Sequence, residues 1–457
     1  MKSINDAVQS GSNARVLAQA LLSEYFKEKP ATYPINPFQM LTDYGIPFVF
    51  RGFHDKDIEG IYLPIQDAVD VSVVGINANR IITRQRYTAA HELCHHIKDS
   101  KNRFICSSSS KNRIEKYAET FAAELLMPYS EMKRQISLHE QNGFVTFNSV
   151  LEIAEFFGVS FMSCLCRVAY TFRSVEGGVE SATLIKRVNK YKPEKRRENL
   201  EYTYVSLYEQ LIDAMEPWLR LSPSDIIKAK YCGNYVFNDS RLEGVDLEKG
   251  KVFEIVTDIR LHGADSMYCN EMYKDEIEVA GHAVMYEYLL GLSEDTPVDI
   301  YTLVGLHKRL YACAPYPDYG GSFRNSDPLI LGSKFETVPH KLIHAEFIKL
   351  NSEIQHILYP DKRLPLSVYV KDVSKIHHRL TVIHPFGDGN GRATRAFMNL
   401  LFIRRGVLPI YIRVEDKNEY LDALYEADIK GAYEKLNIVI YKAMTRAQAE
   451  LSEAFQL

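Results

Sequence analysis

At 457 residues the chain exceeds one ordinary core, and at roughly 150 residues per domain about three units are expected as a prior. A hydrophobic share of 46% beside 25% charged residues excludes global disorder, and a net charge of −4 offers no strong nucleic-acid signal. No apolar run approaches the ~20 residues of a bilayer span, the opening MKSINDAVQSGSNARV lacks a signal-peptide core, and seven Cys at irregular spacing make no disulfide framework, so a cytoplasmic, reducing home without membrane contact is expected.

In chain order, residues 11–28 carry apolar positions at helical spacing and stop before Pro30 and Pro34. Three short β-rich runs follow, at 45–50, 60–65 and 71–77. From Thr83 the period is helical, and Ile114, Tyr117, Ala118, Phe121, Ala122, Leu125 and Leu126 form an apolar stripe ending at Pro128. Two further helical patterns occupy about 147–172, which makes the first unit a small sheet followed by helices, an α+β domain over 10–175. Between 176 and 200 the pattern dissolves, and seven of the twelve residues 186–197 are Lys or Arg. A solvated basic linker is expected there in preference to a phosphate-binding arm. From about 201 to 457 the sequence reads as helical, with amphipathic stretches at 199–215, 276–291 and 338–350.

His91-Glu92-Leu93-Cys94-His95 lies in a helical stretch. Positions i and i+4 differ by about 40° of rotation, so His91 and His95 share a face and can hold a divalent ion. Glu92 is placed to take a proton from water, while His96, about 100° further round, is a bystander. Protease-type zinc needs a third protein ligand and an open position; Glu115 or Glu119 on the next helix can supply the carboxylate. The alternative is two surface histidines and a solvated acidic face. RQRYTAAHELCHH followed by EKYAETFAAELLMP resembles the ImmA/IrrE-type metallopeptidases over about residues 10–175. The resemblance implies a zincin-like α+β fold with Zn²⁺ on His91, His95 and Glu115 and Glu92 as general base. It places Glu119 on a position usually filled by Asn, and it implies a repressor-like regulator as substrate. Cys94 stands where a small residue is common.

The second constellation is His384-Pro385-Phe386-Gly387-Asp388-Gly389-Asn390-Gly391-Arg392-Ala393-Thr394-Arg395. Three glycines within five residues free the backbone, and successive N–H groups opening onto a helix form a concave anion site. Arg392 and Arg395 add phosphate-binding charge, Asp388 a hard oxygen for Mg²⁺, and His384 a near-neutral base. No Gly-Lys-Ser/Thr follows, so this is not a Walker A loop.

That string resembles the Fic motif H-P-F-x-[DE]-G-N-G-R-x-x-R at every fixed position, and the likeness extends over about 230–445. It implies an all-α fold with a β-hairpin flap that transfers AMP from ATP to a Tyr, Thr or Ser hydroxyl of a target protein; UMP or phosphocholine transfer also suits the fold. By position, His384 deprotonates the hydroxyl and Asp388 holds Mg²⁺ on the α/β-phosphates. Gly389, Asn390, Gly391 and Arg392 take phosphate charge, Arg395 the γ-phosphate, Tyr420 lies near the adenine, and residues 331–335 align the target strand. The segment 238–244, NDSRLEG, is similar to the family's inhibitory helix pattern [ST]-x-x-x-E-[GN], with Asp239 in place of Ser or Thr. Asp is a good helix N-cap, so the change is expected to be mild. Glu243 is the implied brake, pairing with Arg395. The resulting expectation is a protein adenylyltransferase with an attached zinc metallopeptidase domain. The alternative makes the peptidase the output, with the second unit a sensor or a restrained toxin.

Overall fold

The computed structural model describes residues 3–28, 30–65, 71–107, 112–220, 224–269, 273–293, 295–328 and 337–451. The chain forms two compact units, Met1–Met215 and Glu216–Leu457.

The first unit opens with α1 (Ile4–Gln9), α2 (Ala14–Tyr25) and α3 (Pro37–Asp43). The Asn13 and Asn36 side chains cap α2 and α3 by accepting from free N–H groups of the first turn. Strands β1 (Phe48–Arg51), β2 (Ile58–Leu63) and β3 (Val73–Asn77) lie within or beside the three β-rich runs. With β4 (Phe104–Ser107) they form a mixed sheet in the order β1-β3-β2-β4, β1 parallel to β3 and the other pairs antiparallel. The long helix α4 (Ile82–Asp99) packs on β2, β3 and α5 (Arg113–Leu126). Behind it α6 (Tyr129–His139), α7 (Phe147–Phe157) and α8 (Phe161–Cys166) close the core, in which Phe38, Phe48, Phe121 and Phe157 are sealed from water.

Arg86 of α4 is also fully buried, with its charge on fixed acceptors: Nε donates to the Gly158 carbonyl (3.1 Å), Nη1 to Gln210 Oε1 (2.8 Å) and Nη2 to the Ile35 carbonyl (2.6 Å). Burial pulls its pKa down to about 9. One guanidinium thus ties α4 to three other parts of the unit, which fixes the helix that carries His91 and His95.

The basic stretch is helical. It forms α9 (Ser181–Tyr191) and α10 (Pro193–Asn199). Arg197 is buried, paired with Glu155 of α7 and lying 3.9 Å over the Tyr204 ring. Charge density hid this, because most of the other Lys and Arg face water and only a few residues, Leu184, Val188 and Tyr191 beside Arg197, anchor the segment. Helix α11 (Val205–Met215) packs on α3, with Asn36 Nδ2 donating to the Gln210 carbonyl (2.9 Å) and Thr42 Oγ1 to that of Ala214 (2.8 Å).

The second unit is a helical assembly: α12 (Asp225–Leu242), α13 (Lys249–His262), α14 (Lys274–Gly291), α15 (Thr302–Leu310), α16 (Ile343–Leu358), α17 (Leu366–Ile383), α18 (Asn390–Arg404), α19 (Lys417–Lys430) and α20 (Glu434–Leu451). Its centre is α18, on which Ala393, Ala396, Phe397, Leu400, Leu401 and Phe402 are all sealed from solvent. A helix apolar on nearly every side must be surrounded, and α14, α15 and α17 pack against it. Among the described residues no single helix is long and apolar enough to cross a membrane; the bent pair Phe147–Phe157 and Phe161–Phe172 passes on length and composition, with a 112° turn, and most of its apolar side chains are buried in the first unit.

Candidate functional site

In the first unit, His91, Glu92 and His95 project from α4 and Glu115 from the first turn of α5. The Asn112 side chain caps α5 through the Glu115 N–H (2.9 Å), fixing the turn that presents this carboxylate. Glu115 Oε2 lies 3.1 Å from His91 Nε2, its Oε1 lies 3.6 Å from His95 Nε2, and the two histidine Nε2 atoms are 3.2 Å apart. Burial and the nearby His91 push His95 down to about 3, so its imidazole is neutral and has a free lone pair. Burial alone would raise Glu115, but its hydrogen bond and charge attraction to His91 outweigh that and hold it below the ordinary carboxylate range. Glu92 is fully buried; desolvation lifts it to about 7 against the lowering effect of His91. Glu119 is exposed on the rim of the cleft, and His96 turns away to Tyr62, whose hydroxyl is 3.0 Å from its Nδ1.

Two members of this site carried no signal in the sequence. Cys106 of β4 donates from Sγ to Glu92 Oε2 (3.3 Å), and the donor atoms of His91, His95, Cys106 and Glu115 all lie within 4.8 Å of one another. Gly60 of β2 leaves room for the base: a Cβ there would stand 2.4 Å from Glu92 Oε1 and 2.5 Å from Thr88 Cγ2. The converging donors, the neutral His95 and the unpartnered buried atoms Glu92 Oε1 and His95 Nδ1 fit a bound metal ion.

In the second unit, the loop 384–389 joins α17 to α18. His384 ends α17 with φ +48°, a left-handed conformation uncommon for a side chain with a Cβ. Arg324 over-determines that backbone: Nε donates to the His384 carbonyl (2.7 Å), Nη2 to that of Ile383 (3.3 Å), and its own N–H to the Pro385 carbonyl (3.0 Å). Burial and the Arg324 charge lower the His384 pKa below its ordinary value.

Asn390 closes the loop: its Oδ1 accepts from the Phe386 N–H (2.9 Å) and its Nδ2 donates to the Phe386 carbonyl (2.8 Å). Its side chain thereby braces the loop. His307, from α15, stacks on Phe386 (3.7 Å between centroids), donates from Nε2 to the Asp388 carbonyl (2.9 Å) and accepts at Nδ1 from the Gly321 N–H (2.8 Å). Burial brings it down to about 4, consistent with a fixed neutral tautomer. The Asp388 carboxylate is 68% exposed, accepts from the Tyr311 hydroxyl (2.9 Å) and lies 3.7 Å from Arg392 Nη2. Burial raises its pKa, but the Gly389 N–H, Tyr311 and Arg392 together hold it low. Gly389, at φ +73°, holds a backbone conformation strained for any residue with a Cβ, which would also meet Leu310 Cδ2 at 2.8 Å.

Arg395 is buried and held by two carboxylates, Nε by Asp239 and Nη2 by Glu243 Oε1 at 2.5 Å. Glu243 follows the last residue of α12, and Gly391 makes room for it, as a Cβ there would lie 2.4 Å from Glu243 Oε1. Asp239 does not begin a helix: it sits in the last turn of α12, with His282 Nε2 3.1 Å from its Oδ2, so the N-cap expected of it is replaced by a buried ion pair. The helix continues straight through this position because its apolar face, with Tyr231, Tyr235 and Val236, is already packed. Tyr420 is buried, its hydroxyl 2.7 Å from His377 Nε2. The segment 331–335, expected to align a target strand, lies outside the described residues. His307, Arg324 and His282 passed unnoticed in sequence because each acts on backbone or on a residue far away in the chain.

Residues 41–168 match the family model of the IrrE N-terminal-like domain, and residues 297–402 that of the Fic/DOC family. Similar curated proteins include the protein adenylyltransferase Fic of Nematostella vectensis, 30% identical over 31% of this chain and 30% of that protein. The Drosophila yakuba protein of the same name is 31% identical over 34% of this chain and 30% of its own length. The chain thus spans about a third of the curated relatives it matches. Among solved structures, a Fic domain containing signaling protein from Bacteroides thetaiotaomicron aligns with a TM-score of 0.43 at 21% identity, over 54% of this chain and 94% of that one.

Proposed function

We propose that this chain, which joins an IrrE N-terminal-like domain to a Fic domain, is a self-restrained protein adenylyltransferase with an attached zinc metallopeptidase. The observation that carries the reading is the loop from His384 to Arg395, with its histidine held in a strained conformation and its last arginine engaged by Glu243. ATP and a Tyr, Thr or Ser hydroxyl on another protein are the substrates. His384 takes the hydroxyl proton; the freed oxygen bonds to the α-phosphorus, the bond from that phosphorus to the bridging oxygen breaks, and pyrophosphate leaves. Asp388, exposed and held low in pKa, suits a hard cation, and Mg²⁺ bound there would supply charge neutralisation at the α/β-phosphates. Arg392 faces the same region and adds fixed positive charge. Asn390 serves as a positioning residue, holding the loop through Phe386.

Glu243 is the restraint in this reading. While it holds Arg395, that guanidinium is not free for the γ-phosphate, so ATP settles with its α-phosphate misaligned. About 1 Å of misplacement costs on the order of 100-fold in rate. Glu243→Gly is expected to raise incorporation of label from α-labelled ATP into protein at least about tenfold, and the same variant carrying His384→Ala to incorporate none. Label retained from the γ-position instead of the α-position would overturn AMP transfer; an unchanged rate in Glu243→Gly would remove the restraint.

A second reading is favoured by the converged His91, His95 and Glu115 beside the buried Glu92. It makes the first unit a zinc endopeptidase acting on a repressor-like regulator, with the second unit as sensor or toxin. Bound zinc would supply Lewis acidity; Glu92 would take the proton from the attacking water and later deliver it to the leaving amine. Cleavage of such a regulator by the wild-type chain and not by Glu92→Gln would favour it.

A further inference from the structure

The donor cluster of the first unit has one member more than a hydrolytic zinc site requires. Such a site takes three protein ligands and leaves the fourth position open, whereas a structural site fills all four from the protein. His91, His95 and Glu115 are the three. Cys106 brings a fourth donor to the same point, its sulfur within 4.8 Å of the donor atom of each of the others.

A tetrahedral ion sets the distances to compare. Bonds of about 2.0–2.1 Å to nitrogen and oxygen set neighbouring donors about 3.3 Å apart, and a sulfur at about 2.3 Å stands slightly further off, about 3.6 Å from each. The two histidine Nε2 atoms are 3.2 Å apart, and Glu115 approaches them with a different oxygen each, Oε2 at 3.1 Å from His91 and Oε1 at 3.6 Å from His95. A second observation ties the thiol to the site: Cys106 Sγ donates to Oε2 of the fully buried Glu92, whose Oε1 has no hydrogen-bond partner. Cys94, one residue before His95, is equally buried but belongs to no such cluster, so mere burial of a thiol in this unit does not bring it to the donors.

We propose that Cys106 is a fourth protein ligand, so that an ion held by His91, His95, Glu115 and Cys106 has no open position and the peptidase site is latent in this conformation. The inference rests on the metal-binding reading above. On ligation the Sγ–H bond breaks, the sulfur lone pair goes to the ion, and the proton passes to Glu92 Oε2, already its acceptor at 3.3 Å.

The test uses the full chain, stripped of metal and titrated with Co²⁺. The wild type is expected to take up one Co²⁺ in the first unit and to show an intense near-ultraviolet thiolate-to-cobalt band. Cys106→Ser is expected to bind Co²⁺ at least about tenfold more weakly and without that band, whereas Cys94→Ala keeps it. Cys106→Ala provides the same loss of the band should the serine variant fail to fold. A wild-type protein that binds Co²⁺ through His91 without the band, or a band that survives Cys106→Ser, overturns the proposal and spares the metal site. A full chain that takes up neither Co²⁺ nor Zn²⁺ overturns the metal reading and this proposal together.

Discussion

Asp239 carries its charge in a fully buried place, with Arg395 on one side and His282 3.1 Å away on the other. Burial alone would raise its pKa, but the attraction of Arg395 and the His282 contact hold it below the usual carboxylate range. Breaking a buried ion pair costs about 3–5 kcal/mol, the lower end applying here because Arg395 keeps Glu243. Asp239→Asn is therefore expected to lower stability by about that amount in denaturant unfolding, where loss of a helix cap would cost only ~1 kcal/mol. A change below 1 kcal/mol would contradict the ion-pair account.

His384 allows a pH test at the same scale. Its pKa is lowered, first by burial and then by the Arg324 charge. A general base must be unprotonated, so a lowered pKa keeps the base form available to more acidic pH. The acid limb of kcat/KM for protein adenylylation is expected below pH 6.5, with activity lost as pH falls through the lowered value. A limb at or above 6.5 would mean that His384 is solvated or is not the base.

At the scale of elements, the approach of β2 to α4 turns on Gly60. A methyl group there meets the Glu92 carboxylate at 2.4 Å and Thr88 at 2.5 Å, and both side chains are buried. Gly60→Ala is expected to cost about 1–3 kcal/mol and to reduce metal uptake by the first unit, measured by unfolding and elemental analysis. Unchanged metal content would show that the strand can yield without disturbing the ligand helix.

The same scale shows what sequence could reveal. The helices α2, α4 and α5 and strands β1 to β3 were legible because periods of 3.6 and 2 run over several residues. Strand β4 was not: it has four residues, and its burial alternates only weakly beside a run of serines. The helices α9 and α10 were hidden for a related reason, since few residues in them are buried and the charge run dominates the pattern. His91, Glu92 and His95 were legible because their spacing is helical within one element, whereas spacing left Glu115 level with Glu119 and only the family resemblance separated them. Cys106, Gly60, His307 and Arg324 were not, since each meets the site through tertiary approach. Asp239 was misread because a short motif does not tell where its helix begins.

For the molecule as a whole, the two units each bury an apolar core of their own. A ligand that binds only one folded unit stabilises that unit by mass action. Removing metal with a chelator is expected to lower the unfolding transition of the unit carrying His91, His95 and Glu115, and a non-hydrolysable ATP analogue to raise that of the other. Calorimetry in which each additive moves only its own transition would agree; a single transition shifted by both would show that the units unfold together.

Gly391 has a further consequence for how such a molecule fails. It lies in the first turn of α18, and its missing side chain is what lets the Glu243 carboxylate dock. A side chain gained at position 391 would evict Glu243, but it would also crowd Arg395, 2.9 Å from the new Cβ. On the reading that Glu243 restrains a transferase, a side chain at 391 is expected to disturb Arg395 as well as Glu243, whereas Glu243→Gly removes the carboxylate alone. A single adenine-to-guanine change in the second base of a glutamate codon is enough to produce that glycine. On that reading, a screen for spontaneous gain-of-activity alleles is expected to recover changes at 243 repeatedly and none at 391.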